Sequence, residues 1–151
     1  MKQWKSIDEA LDFAIKSEVR AANFYKALAK RADTSGMREV FEGFSREELG
    51  HKAKLEAIKT GDIEIPAPQK VQDLKISDYT VEVEVEGDLS YQDSLILAMK
   101  REKAAYRLYT DLAALAQETK LRQVFFALAQ EEANHKLRFE IEYDENVYTE
   151  N

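Results

Sequence analysis

Cysteine is absent from this chain of 151 residues, so disulfides, zinc–cysteine sites, iron–sulfur clusters and thiol catalysis are excluded by inventory. Helix breakers are scarce. Only 2 prolines and 5 glycines occur, while long stretches are rich in Ala, Leu, Glu, Lys and Arg, which predicts an all-α protein. No apolar run approaches the roughly 20 residues of a membrane span, and the opening Met-Lys-Gln-Trp-Lys-Ser lacks the apolar core of a signal peptide. A positive charge balance is missing too: 22 basic residues against 29 acidic ones leave −7, which argues against nucleic acid or an anionic membrane as partner. The expectation is one soluble, cytoplasmic domain over residues 1–151 with neither partner.

What is present is organised as helices. Ser6-Ile7-Asp8-Glu9 forms a capping box and predicts a helix to about Ala32, where Asp33-Thr34-Ser35-Gly36 interrupts it. A second helix is expected from about Met37 to Thr60, with Gly61 suited to a left-handed cap. Residues 61–89 form a crossover that holds both prolines, Pro66 and Pro68, and the stretch from Tyr79 to Gly87 alternates like a strand or an extended connection. Ser90-Tyr91-Gln92-Asp93 caps a third helix to about Gln117. A fourth spans about Thr119 to Tyr143, before a polar tail from Asp144. Helices of roughly 25 residues are each about 37 Å long. Joined short, long, short, they predict a bundle of two helical hairpins with one crossover.

The hairpins, about 6–60 and 90–143, are copies at an offset of 84 residues. Ser6 matches Ser90, Glu18 matches Glu102, Tyr25 matches Tyr109, Glu47-Glu48 matches Glu131-Glu132, and His51-Lys52 matches His135-Lys136. Reading each helix at alternating three and four spacing gives its inward stripe. The first runs Ile7, Leu11, Ala14, Glu18, Ala21, Tyr25, Leu28, Ala32, and the third runs Tyr91, Leu95, Ala98, Glu102, Ala105, Tyr109, Leu112, Ala116. The second carries Met37, Phe41, Phe44, Glu48, His51, Leu55, Ile58, and the fourth Leu121, Phe125, Leu128, Glu132, His135, Phe139. Glutamates interrupt all four stripes. Two are followed three residues later by the chain's only histidines.

A buried, unpaired carboxylate costs several kcal/mol, and no Lys or Arg enters these stripes to offset it. Two divalent cations would balance the charge of Glu18, Glu48, Glu102 and Glu132, while His51 and His135 supply neutral nitrogen ligands. Residues three apart share a helix face, so Glu48 can bridge two ions while His51 binds one, and Glu132 with His135 does the same from the opposite side. Four carboxylates and two imidazoles favour iron, with manganese the alternative, over the more closed zinc sites. Glu47 and Glu131 lie about 100° off the stripe, in a solvated or outer position.

This pattern resembles the ferritin-like di-iron carboxylate proteins, in which one Glu from each of two helices meets Glu-x-x-His from each of the other two. Within them the chain looks most like rubrerythrin, with its long crossover between helix pairs, over roughly residues 6–143. The resemblance implies a ferritin-like four-helix bundle holding two iron ions per chain on Glu18, Glu48, His51, Glu102, Glu132 and His135. Tyr25 and Tyr109 match the family's tyrosine seven residues after the helix glutamate. The resemblance gives them the task of bonding a ligand carboxylate and taking part in electron transfer, whereas the stripe alone also fits core aromatics that satisfy their hydroxyls locally. Two departures stand out. The rubredoxin domain is missing, and Ala105 stands where typical rubrerythrins carry a further glutamate.

The function implied is a redox enzyme that reduces hydrogen peroxide or dioxygen with electrons from an external donor such as a rubredoxin, in a homodimer active in peroxide scavenging. The alternative is ferroxidase action in iron handling, which Ala105 favours, and a manganese catalase is a third reading.

Overall fold

The computed structural model describes residues 7–61, 79, 81 and 89–150. Four helices make up the fold: α1 (Ile7–Ala29), α2 (Ser35–Thr60), α3 (Tyr91–Leu115) and α4 (Thr119–Glu150). Among the described residues there is no strand. Ser6 and most of the alternating stretch after Tyr79 lie outside them.

Capping chemistry sets the helix starts. Thr34, in an extended conformation, accepts the Met37 N–H on its hydroxyl at 3.1 Å, so α2 begins at Ser35, two residues before the sequence pattern placed it. Ser90 accepts the Asp93 N–H at 3.0 Å and opens α3 as expected. At its C-terminus α1 tightens from Lys30 to Ala32 into bonds that skip only three residues, and the helix proper ends at Ala29.

Two expectations are corrected. Gly61 is not left-handed, since its φ is −92° and its ψ −177°. A β-carbon there would meet the Ala57 carbonyl oxygen, so close approach, not handedness, favours glycine. The tail from Asp144 is also not irregular, because α4 continues to Glu150. No Gly or Pro interrupts this segment, Asn146 Nδ2 donates to the Glu142 carbonyl at 3.0 Å, and the buried Glu142 carboxylate accepts the Tyr91 hydroxyl at 2.7 Å.

The helices pair α1 with α2 and α3 with α4. Apolar packing forms two clusters. One joins Leu11 of α1, Leu55 of α2, Leu112 of α3 and Leu128 of α4; the other joins Tyr25, Phe41, Leu95 and Phe139 of the same helices. The N-terminal half of α1 therefore packs with the C-terminal halves of α2 and α3 and the N-terminal half of α4. This order runs up, down, down, up. It leaves the end of α2 and the start of α3 at opposite ends of the bundle, which is why the sequence needs a long connection there. Between the two clusters lies a layer of charged side chains.

Candidate metal centre

All six residues picked out by the stripe pattern fall in that middle layer. Glu18, Glu48, His51, Glu102, Glu132 and His135 are each 3% exposed or less. The structure gathers them into two groups of four, Glu18, Glu48, His51 and Glu132, and Glu48, Glu102, Glu132 and His135. In each group one ligand atom per residue lies within 4.8 Å of the others. Glu48 and Glu132 belong to both, the position a bridging carboxylate requires.

Six buried side-chain atoms lack a hydrogen-bond partner among the described residues: Glu18 Oε2, Glu48 Oε1, His51 Nδ1, Glu102 Oε2, Glu132 Oε1 and His135 Nδ1. There is one from each residue. Buried polar atoms left unmatched cost on the order of 1–3 kcal/mol each. Six converging on one point suit a group that accepts lone pairs. His51 Nδ1 lies 2.9 Å from Glu132 and 3.4 Å from Glu18, and His135 Nδ1 lies 3.2 Å from Glu48 and 3.6 Å from Glu102.

The residues around the six hold them in orientation, and they do so across the hairpins. His51 Nε2 lies 2.6 Å from the Glu131 carboxylate, and His135 Nε2 lies 2.5 Å from that of Glu47. An Nε2–H donated outward leaves Nδ1 with its lone pair inward when a cation is bound. Similarly, the Tyr25 hydroxyl donates to Glu102 and the Tyr109 hydroxyl to Glu18. The sequence assigned Glu47 and Glu131 to the periphery. Their pairing in the 84-residue repeat was the available sign that they matter. Replacing Glu47 or Glu131 with alanine is expected to weaken metal affinity roughly 10- to 100-fold with little change in helicity, as read by chelator competition and circular dichroism.

Electrostatics in the layer follow from crowding. Burial pushes Glu48 up to about 8, and the charges of Glu18 and Glu102 add to the shift; Glu132 is raised well above the usual carboxylate range by burial and the same neighbours. Burial alone would lower the histidines. Contact with Glu18 and the surrounding negative charge instead hold His51 up at about 9, and Glu102 and Glu48 hold His135 at about 11. Burial, reinforced by the adjoining carboxylates, also raises Tyr25 and Tyr109 well above the usual phenol value. The metal-free chain thus offsets its negative charge with protons, which an incoming cation has to displace.

The duplicated hairpins do not make identical halves. Tyr25 is walled by aromatic rings, Phe139 at 5.1 Å, Phe24 at 5.9 Å and Phe44 at 6.5 Å between centroids, and Phe44 also stacks on His135 at 4.1 Å. At the repeat-equivalent positions the chain carries Leu55, Leu108 and Leu128.

A family model described as rubrerythrin matches residues 9–143. A solved structure of a hypothetical protein from Pyrococcus furiosus is similar over 92% of this chain and 89% of that one, with 27% sequence identity and a TM-score of 0.69. No curated protein matches the chain.

Proposed function

This chain belongs to the rubrerythrin family, and from that premise we propose that it is a di-iron oxidoreductase that reduces hydrogen peroxide with electrons from an external donor such as a rubredoxin. The observation that carries this reading is the set of six buried atoms without a hydrogen bond, gathered between two apolar clusters. Glu18 and His51 would hold one ion and Glu102 and His135 the other, with Glu48 and Glu132 within reach of both. Bound iron would supply electrons to the oxidant, and the external donor would replace them.

The chain's own residues do the rest. Glu131 and Glu47 fix the imidazole rings, and the Tyr109 and Tyr25 hydroxyls hold the Glu18 and Glu102 carboxylates and carry a proton beside them. Leucine and phenylalanine layers close the site above and below along the bundle axis. A cavity of about 110 Å³ between α1 and α3 reaches the carboxylates and admits a molecule the size of peroxide.

A second reading, ferroxidase action for iron handling, draws support from Ala105, which lines this cavity in place of a further carboxylate. Stopped-flow mixing of the di-ferrous protein with peroxide and with dioxygen separates the two. Oxidation faster with peroxide is expected. Oxidation at least tenfold faster with dioxygen, or a large hollow assembly on a sizing column, transfers the assignment to iron handling. Oxygen evolved from peroxide without a donor marks a catalase.

A further inference from the structure

The cavity between α1 and α3 has a rim of unusual charge. Its floor is the carboxylate layer, and its walls beside Glu102 are the small side chains of Ala104 and Ala105. Two arginines also line it: Arg20 of α1, exposed, and Arg101 of α3, partly buried. Neither forms an ion pair among the described residues. The Arg101 guanidinium instead sits 4.8 Å above the Phe24 ring.

The pair has no counterpart in the internal repeat. Arg20 aligns with Ala104 and Arg101 with Ser17, so the hairpins placed two cations on one opening by separate substitutions. Two guanidiniums that line one opening repel each other, and no acidic side chain among the described residues forms an ion pair with either. An anion between them turns that repulsion into attraction. Guanidinium groups grip planar oxyanions through paired N–H donors.

The opposite face of the layer has the reverse character. There Glu47 and Glu131, 54% and 43% exposed at the side chain, stand outside the two histidines. Cations are drawn to the Glu47 and Glu131 face, and anions to the arginine face.

We propose that Arg20 and Arg101 form a binding site for a small monovalent inorganic anion at the rim of the α1–α3 cavity, above the carboxylate floor. The inference rests on the proposed metal reading in one respect: two divalent cations neutralise the floor, so the arginines dominate the field in the cavity and the anion binds more tightly to the loaded protein.

Nitrate is a suitable probe, being planar, monovalent and a poor metal ligand. Calorimetric titration with nitrate is carried out on ferrous-loaded and metal-free protein, for the wild type, Arg20→Gln, Arg101→Gln, Arg101→Lys and the double glutamine variant, with the metal content of every sample measured. The loaded wild type is expected to bind one nitrate, weakening as ionic strength rises. Each glutamine substitution is expected to lower affinity by at least about tenfold, the double variant to lose binding, and Arg101→Lys, which keeps the charge but not the paired donors, to fall between wild type and Arg101→Gln. Nitrate affinity in the double variant within twofold of wild type, or no binding by loaded wild type, overturns the proposal. A chain that takes up no metal sinks the metal reading separately, and arginine dependence in the metal-free chain then decides the anion site: dependence supports it, and absence of binding overturns it.

Discussion

Glu48→Ala is expected to cost the protein both metal ions rather than one, and Glu132→Ala to do the same. Each of these carboxylates belongs to both four-residue groups, so its loss removes a donor from each position at once. Glu18 and Glu102 belong to one group each, and alanine at either should spare the distant ion more than the near one. With both ions bound, Glu48 and Glu132 would also place negative charge between two divalent cations. Without one of them the two cations repel with less intervening negative charge, and occupancy of one position opposes occupancy of the other. Affinity should therefore fall by more than the roughly 100-fold that loss of an outlying partner can cost. Metal per chain, measured by mass spectrometry after anaerobic ferrous loading and desalting, checks this. Two ions per chain are expected for wild type and close to none for the bridge variants. One retained ion in Glu48→Ala would show that the two positions do not share that carboxylate.

The faces of the helices were legible in the sequence because helical periodicity is a local property. The 84-residue repeat then gave the relation between hairpins, and the six residues of the buried layer followed from the places where charge broke an apolar stripe. Height along neighbouring helices is not local. Periodicity puts Tyr25 on the inward face of α1 but cannot say that its hydroxyl reaches Glu102 of α3, nor that Glu47 meets His135 of α4 instead of the nearer His51. The repeat also conceals difference. It aligns Phe44 with Leu128 and Phe139 with Leu55, and only the folded chain shows that these two phenylalanines wall Tyr25. Arg20 and Arg101 were illegible for the same reason, since they lie 81 residues apart and off the repeat. The extension of α4 past Asp144 was missed because polarity was read as irregularity, although Glu142 and Asn146 tie that turn down.

The largest stability effect is expected where a ligand gives way to core, and the structure changes which variant shows it. Leucine at position 18 would extend the apolar stripe of α1, bury a side chain worth roughly 1.5–3 kcal/mol, and relieve the crowding among four carboxyls. The sequence pattern alone therefore favours Glu18→Leu as a stabilised apoprotein. However, the fully buried Tyr109 hydroxyl donates to Glu18, and leucine leaves that hydroxyl without an acceptor at a cost of about 1–3 kcal/mol. Gain and loss nearly cancel, so the single variant should melt close to wild type in chelator. Replacing donor and acceptor together removes the loss. Glu18→Leu combined with Tyr109→Phe is expected to raise the unfolding midpoint of the metal-free protein by about 4–10 °C, the shift that 1.5–3 kcal/mol produces in a domain of this size. Metal reverses the order, because an ion that binds only the native state stabilises it by about 2.7 kcal/mol at a hundred times its dissociation constant, and the double variant has lost a ligand. Thermal unfolding of wild type, single and double variants, first with chelator and then with anaerobic ferrous iron, tests both halves. A double variant that melts below wild type in chelator would mean that Glu18 supports the metal-free fold through its contact with His51, and that this layer was not placed in the core at the expense of stability.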